Sequence, residues 1–458
     1  MKDLSAIILA AGEGKRMNSK TSKVLHKICG KPLIEWVYDS IQEAGIQDCI
    51  MVVGHKADQV KSYMGQKVKF ALQEKQLGTG HAVMQAQPML TGMQGHVIIL
   101  CGDTPLIKGE TIKSALDYHI ENDHSATILT TEVDNPTGYG RIIRDVQGNV
   151  LKIVEQKDTN QDEQEIKEIN SGIYCFKTAH LLNALAKLNN DNSQGEYYLT
   201  DTIEIILQNN SKVGAVKIGD PEELQGINNR FQLSEAERVM QQRILHKHME
   251  NGVTIISPLN TYIGADVDIG MDTIVYPGCI LEGSTKIGEN CVVGPNSRIV
   301  NSVIENDAEI QNSVVIDSSV GENTHVGPFA YIRPESTIGK NVKIGDFVEV
   351  KKSVIGDYTK VSHLTYIGDA DVGQNVNMGC GSVIVNYDGQ KKHRTTIGDN
   401  AFIGCNANLV SPVTVKNNAY VAAGSTITED VPESSLAIAR ERQVVKEGWM
   451  EKKGRQHK

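Results

Sequence analysis

Two groups of residues in this sequence have types and spacings that could do chemistry. The first begins near the amino terminus, where Ala10, Ala11, Gly12, Glu13, Gly14, Lys15, Arg16 and Met17 follow a short apolar run. A glycine-rich turn after a strand can present backbone N–H groups to phosphate oxygens, with Arg16 and Lys23 adding positive charge. The same turn also fits a plain strand-to-helix connection. Further along, Cys101, Gly102 and Asp103 close another apolar run. An acid there can hold Mg²⁺ against phosphates, or simply cap the next turn.

The second group is Arg333, Lys351, Lys352, Lys360, His363 and Tyr366, followed by Asn377, Asn386, Tyr387 and Lys392. If the chain coils with a repeat of about 18 residues, Arg333 and Lys351 lie nearly above one another, and two stacked cations make a phosphate site. His363 is close enough to that pair to serve as a general base, the alternative being a solvated surface histidine.

The elements that must position these groups differ between the two halves. In the second half an aliphatic recurs at every sixth residue: Ile263, Ile269, Val275, Leu281, Ile287, Val293 and Ile299. After a slip the series resumes as Ile304, Ile310 and Ile316, then Val320, Val326, Ile332, Ile338, Ile344 and Val350, and it runs on to Ile427. Six residues fit neither helix nor strand alternation, and hexapeptide repeats mark a parallel β-helix. Three hexads per coil predict roughly nine coils over 263–427. The segment 385–396 breaks the period and is expected to be a loop leaving the prism, able to reach a neighbouring subunit.

In the first half, apolar runs at 4–9, 49–53, 68–72 and 96–100 alternate with helical patterns at 32–44, 57–64 and 78–90. That alternation predicts a Rossmann-like, doubly wound sheet, which binds ligands at the carboxyl ends of its strands. A polar, acidic stretch at 156–168 reads as a mobile loop or a surface insertion without function. Residues 229–251 read as a connecting helix, with Phe231, Ala236, Val239, Met240 and Ile244 on its apolar side. His246 and His248 do not share a helix face and are expected to be solvated. The fold class is therefore α/β, with expected boundaries at 1–228, 229–250 for a helical linker, and 251–458.

Length allows two or three domains. A formal charge of −10 argues against a nucleic-acid binder. The eight cysteines include no CxxC pair, so they read as reduced thiols rather than a disulfide framework or zinc site. No apolar run approaches the length of a membrane span and no leader precedes the first strand, so a cytoplasmic protein without membrane insertion is expected. The basic tail from Arg440 onward is either a clamp for an anion or a neighbouring subunit, or a solvated end.

Leu9, Ala10, Ala11, Gly12, Gly14, Arg16 and Met17, with Lys23, Lys31, Pro32, Leu33, Gly102 and Asp103, resemble the sugar-nucleotide pyrophosphorylases. The resemblance implies that a sugar 1-phosphate oxygen attacks the α-phosphorus of a nucleoside triphosphate and releases pyrophosphate. Catalysis would be positioning plus charge neutralisation by Mg²⁺, Lys and Arg. It further implies that Leu9, Ala10, Ala11, Gly12, Gln73, Gly78 and Thr79 bind the uridine of UTP, Gln73 reading the uracil edge. Arg16 and Lys23 would face the triphosphate. Gly140, Glu155 and Asn170 would hold the N-acetyl sugar, and Asp103 and Asn228 the Mg²⁺. On the residues alone, Gly140 is equally a turn and Glu155 a solvated strand position.

The second half resembles the hexapeptide acyltransferases, whose β-helix is left-handed. Through Arg333, Lys351, His363, Tyr366, Asn377, Asn386, Tyr387, Asp388, Gly389, Lys392, Lys446, Glu447, Gly448 and Trp449, the whole chain is similar to bacterial enzymes with two activities. Those enzymes acetylate glucosamine 1-phosphate and then uridylylate the N-acetylglucosamine 1-phosphate. The resemblance implies that His363 takes the amine proton during attack on acetyl-CoA. Arg333, Lys351 and Lys392 would bind the phosphate, and Tyr366 and Asn377 the sugar. Asn386, Tyr387, Ala423 and Arg440 would contact acetyl-CoA, with Cys380 and Cys405 on that side where many members have Ala and Ser. A homotrimer with shared acetyl sites is implied. The alternatives are a single-activity pyrophosphorylase whose β-helix serves assembly or regulation, and a scaffold without catalysis. The first would lack a histidine beside stacked cations, and the second would lose Arg16, Lys23 or Asp103.

Overall fold

The structure, a computed structural model, describes residues 3–454. The end of the basic tail, 455–458, lies outside them. The chain folds as two compact units divided between Met240 and Gln241.

The first unit is built on a nine-stranded sheet. Its strands are β1 (Leu4–Ala10), β2 (Asp48–Val53), β3 (Lys69–Leu72), β4 (His96–Cys101), β5 (Ala126–Glu132), β6 (Arg141–Arg144), β7 (Val150–Val154), β8 (Glu168–Lys177) and β9 (Val213–Lys217). They lie in the order β9-β5-β8-β4-β1-β2-β3, and β6 pairs with β8 and with β7. The helices α1 (Leu33–Glu43), α2 (Ala57–Met64), α3 (Thr79–Leu90) and α4 (Gly109–Glu121) follow β1, β2, β3 and β4 in turn.

The continuous apolar runs are explained by burial on both sides of the sheet. Ala6, Ile8 and Ala10 of β1 join one core with Ile34, Val37 and Ile41 of α1. Ile7 joins the opposite core with Val83, Ala86 and Leu90 of α3. Strand β1 pairs in parallel with both β2 and β4. The winding therefore reverses at β1, and the carboxyl ends of β1 and β4 border the crevice where doubly wound sheets bind ligands.

The second unit is the left-handed parallel β-helix of hexapeptide repeats. Its short strands form three parallel sheets of eleven, ten and nine strands. The periodic aliphatics face inward; Ile263, Val275, Leu281, Ile332, Val350, Val361 and Val421 are all fully buried. Asparagines fill many corners in the left-handed backbone region, among them Asn290, Asn301, Asn323 and Asn341, a conformation their short polar side chain tolerates. The coiling starts earlier than the hexads indicated, at the strand Thr254–Ile255, because a 3-10 turn at Pro258–Asn260 hides its period.

Three expectations are corrected. Ile316 is not an inward residue: Ile299 pairs with Val315, which is buried, and the coil is shortened there so that Ile316 moves toward the corner. Phe231, in the helix Arg230–Glu250, is exposed. Five residues turn a helix through about 140° beyond a full turn, so Phe231 does not share the face of buried Ala236. His246 is exposed and paired with Glu250, as expected of a solvated side chain, but His248 is buried and its pKa is lowered by that burial.

The stretch 156–168 contains a helical turn, Gln161–Gln164, closed by a capping box between Asn160 and Glu163. The segment 385–396 leaves the coil as a hairpin, with Tyr387 bridged to Lys392 and the Asp388 side chain accepting from the Gln390 and Lys391 N–H groups.

The register at Ile299 gives a direct test. Val315→Ala should lower stability by about 2 kcal/mol, and Ile316→Ala by less than half of that. Equal losses in thermal unfolding would place Ile316 in the core after all.

Candidate functional sites

In the first unit, the ends of β1, β4 and α3 enclose a cavity of about 270 Å³. Leu9, Ala10, Ala11, Gly12, Lys23, Gln73, Gly78, Thr79 and Asp103 line it, as the sequence suggested, together with Gln76, Cys101 and Glu196. A methyl group at Gly12 would meet no protein atom, so the turn leaves open space on that side. Gly78, at φ +107°, caps α3 where an added Cβ would lie 2.5 Å from the Tyr197 carbonyl oxygen. Only glycine fits that approach, which brings the 197–199 segment over the cavity rim, where the Leu199 N–H donates to Thr79 Oγ1 at 3.1 Å. Gln73 is buried, and its Nε2 reaches the Gly78 carbonyl at 3.1 Å and His81 Nδ1 at 3.0 Å.

At the floor, the Lys23 ammonium is held by the Asp103 carboxylate and by Asn228 Oδ1, the latter at 2.7 Å. Asp103 thus does not serve as a turn cap; Thr104 does that, donating through Oγ1 to the Cys101 carbonyl at 2.7 Å. Two hard oxygen donors already converge on one positive charge. That donor set fits a Mg²⁺ ion that draws its remaining ligands from water and phosphate. Among the described residues no cluster of three or more acidic, His or Cys side chains offers an all-protein metal cage.

The structure does not bring every expected residue to this cavity. Arg16 is exposed on a 3-10 turn beside it and does not line it. Asn170 and Gly140 are joined, Asn170 N–H donating to the Gly140 carbonyl at 2.9 Å. Glu155 lies in a separate polar cavity of about 630 Å³ with Asp158, Tyr198 and Asp201. It accepts from Thr200 at 3.3 Å, and burial raises its pKa. Burial, with Glu204 and Asp158, pushes the Asp201 carboxyl up to about 6.

In the β-helix, coil stacking assembles a second constellation. Lys351 is 7 % exposed and pairs with Asp369 at 3.1 Å. Asp369 also accepts from the Asn386 amide. The Lys392 ammonium, brought in by the hairpin, sits beside Lys351, and that neighbour lowers its pKa below the usual lysine range. Arg333 pairs with Glu349 at 2.7 Å, and its guanidinium lies 5.8 Å from the Tyr331 ring centre. Tyr366 is the strand neighbour of Glu349, on the same face. Two ammonium groups side by side repel, and a further anion beside them would relieve that repulsion.

His363 stands at the corner beside that face. Its Nδ1 lies 2.6 Å from Asp346 Oδ1, and Asp346 is held below the usual carboxylate range by that hydrogen bond. An ionised carboxylate can only accept, so Nδ1 carries the proton in this pair, which leaves Nε2 as the acceptor of the neutral imidazole. Sequence reasoning missed Asp346, Glu349 and Asp369. The signal was available, because each sits one coil from its partner in a stack whose coils shorten at the slips.

Asn377 occupies the next face, in the strand column that pairs it with Lys360 and Phe402. Cys380, Cys405 and Ala423 stack in successive coils: the Asn406 N–H donates to the Cys380 carbonyl and the Gly424 N–H to the Cys405 carbonyl, both at 2.8 Å. A Cβ at Gly424 would sit 3.7 Å from the Arg440 side chain. Three of the residues assigned by resemblance to acetyl-CoA thus form one column, with Arg440 beside Gly424 at its end. Asn386 is buried beside Lys351, and exposed Tyr387 lies in the hairpin. Within one chain, Asn377 lies in a different sheet from Lys351 and Tyr366, and Cys380 stands one coil from His363 at the same corner.

Comparisons with known proteins match this division. The nucleotidyl transferase family profile matches residues 5–220. Six bacterial transferase hexapeptide repeats match 266–301, and a GMPPB C-terminal domain profile matches 319–434. The chain is 63% identical over 454 residues to the "Bifunctional protein GlmU" of Acetivibrio thermocellus, covering 99% of this chain and 98% of that protein. It is 60% identical to that of Caldanaerobacter subterraneus subsp. tengcongensis, covering 99% of this chain and 100% of that protein. Identity to that of Clostridioides difficile is 57%, over 98% of each.

Gly78→Ala tests the cavity rim. The added Cβ and the strained backbone should cost about 2 kcal/mol, read as a lower unfolding midpoint. An unchanged midpoint would mean that the Tyr197 segment is not held against this turn.

Proposed function

We propose a function from one premise: the chain belongs to the family of bifunctional GlmU proteins. It is a two-activity transferase of UDP-N-acetylglucosamine synthesis. One activity acetylates glucosamine 1-phosphate with acetyl-CoA, and the other moves UMP from UTP to N-acetylglucosamine 1-phosphate. The product is a precursor of wall and surface polysaccharides. The observation that carries this reading is the His363–Asp346 pair beside Lys351 and Lys392. A β-helix used only for assembly has no need of it.

For acetyl transfer, the phosphate of glucosamine 1-phosphate joins Lys351, Lys392 and Arg333, which relieves the repulsion between the lysines. Tyr366 and Asn377 orient the sugar so that its amine meets the acetyl carbonyl. His363 Nε2 takes the amine proton as the C–N bond forms and the CoA thiolate leaves. Asp346 holds the tautomer and stabilises the imidazolium. Asn386, Tyr387, Cys380, Cys405, Ala423 and Arg440 take acetyl-CoA. Because Asn377 lies in a different sheet from Lys351 and Tyr366, a complete site draws these parts from two copies in a homotrimer.

For uridylyl transfer, Leu9, Ala10, Ala11, Gly12, Gly78 and Thr79 cradle the uridine. The Gln73 amide reads the uracil edge. Gly140, Glu155 and Asn170 hold the N-acetyl sugar, which requires the Glu155 cavity to join the nucleotide cavity. Asp103 and Asn228 would hold Mg²⁺, which neutralises phosphate charge and aligns the triphosphate when bound. Lys23, released from those oxygens, and Arg16 then face the phosphates. The sugar phosphate oxygen attacks the α-phosphorus and pyrophosphate leaves. No helix among the described residues is long and apolar enough to cross a membrane, in keeping with work in the cytoplasm, where both co-substrates are made.

Paired variants separate the two activities. His363→Ala should abolish acetyl transfer and Asp346→Asn should lower it at least about 100-fold, both sparing uridylyl transfer. Asp103→Asn should do the reverse, removing Mg²⁺-dependent pyrophosphate release. Loss of both activities in either variant would sink the two-site assignment.

Light scattering should give three times the chain mass. A monomer active in acetyl transfer would rule out the shared site.

A further inference from the structure

Of the eight cysteines, only Cys380 and Cys405 are exposed. Burial pushes the thiols of Cys49 and Cys101 up to about 12 and raises those of Cys29, Cys175, Cys279 and Cys291 as well. Those six are held protonated, and all of them but Cys101 are buried. The exposed two occupy the same place in adjacent coils. Met378 pairs with Ile403, and two residues on, the Asn406 N–H reaches the Cys380 carbonyl at 2.8 Å. Stacked strands lie about 4.8 Å apart, and a disulfide bridges Cα atoms separated by about 4.4–6.8 Å. Equivalent positions of stacked coils project their side chains in the same direction, so the two sulfurs face the same side at a Cα spacing within the disulfide range.

We propose that Cys380 and Cys405 are a dithiol–disulfide pair that closes the acetyl-CoA column to its ligand when oxidised. This rests on the reading of that column as the acetyl-CoA side. The oxidant is a small-molecule disulfide, RS–SR. One protein thiolate attacks an RS–SR sulfur, the old S–S bond breaks, and RS⁻ leaves and takes up the proton that the thiol gave to water. The second protein thiolate attacks the protein sulfur of the mixed disulfide, and the second RS⁻ leaves and is protonated. Two protein S–H bonds are lost, one protein S–S bond is formed, and RS–SR is reduced to two RSH.

In a reducing compartment such a bond is transient and sensing rather than structural. The bridge replaces two small, separately rotating side chains by one rigid link across the column, where the ligand would lie. Bound acetyl-CoA in turn shields both sulfurs from the oxidant.

The test uses the full chain and oxidised glutathione. Peptide mapping should find a Cys380–Cys405 link, and the KM for acetyl-CoA should rise about tenfold, the effect of losing one good contact. Uridylyl transfer should not change, and dithiothreitol should reverse both the link and the KM. In Cys405→Ser protein, Cys380 should stop at the mixed disulfide with glutathione. Glutathione adducts without a link, or a link with an unchanged KM, would overturn the proposal. Alkylation of the two thiols by iodoacetamide distinguishes the premise: if acetyl-CoA fails to slow it, the reading of the column fails. If acetyl-CoA protects but no link forms, the proposal alone fails.

Discussion

The constraint on which the second unit depends is the stacking of coil on coil. Each backbone N–H in a strand finds its carbonyl one coil away, and the inward aliphatics lock that register by burial. Residues far apart in sequence become neighbours in a column with no other device. The polar contacts of this surface are products of it: Asp346 with His363, Glu349 with Arg333, Asp369 with Lys351, Asp369 with Asn386. A one-residue change in coil length is absorbed at a corner, so later columns keep their register while their spacing in sequence changes. Rigid coils also orient His363 against Asp346 with no further element.

The first unit reaches the same end by different means. Its site lies where the winding reverses, at the carboxyl ends of β1 and β4, and a glycine turn rather than a stack leaves the space. Both sites nevertheless share an electrostatic design. In one, a lysine ammonium occupies oxygens suited to a metal; in the other, two lysines lie side by side. On the reading proposed above, a phosphate joins each arrangement, with a metal in the first case.

What was legible in the sequence divides along physical lines. The strand and helix runs of the first half and the inward aliphatics of the second follow from hydrophobic period, which is local, and they fall where the pattern put them. Ile316 and the first coil were misread because the period was counted across a shortened coil and across the Pro258–Asn260 turn. Phe231 was assigned to a face that helical geometry denies it, and His248 is buried by contacts outside its own helix pattern. Motif residues such as Gly12, Lys23 and Gln73 converge on one cavity, because a turn carries its geometry in a few neighbouring residues. Arg16 and Glu155 show the limit of that convergence, standing outside the cavity that the other motif residues line.

The partners of the motif residues were the least legible part. Asp346 has no feature in sequence that distinguishes it from the other acids on coil surfaces; it matters because it stands one coil beneath His363. A column cannot be read until the length of every intervening coil is known. The same logic explains why Cys380 and Cys405, unremarkable as separate residues, acquire meaning as a pair. The hairpin of 385–396 inserts extra chain between their coils, so in sequence they lie further apart than other stacked neighbours. In space the excursion returns to the same register, and the two cysteines stand in directly stacked coils. Chemistry on a solenoid is therefore set by coil register rather than by sequence proximity, and an insertion that preserves register can add a binding loop without moving the wall from which it springs.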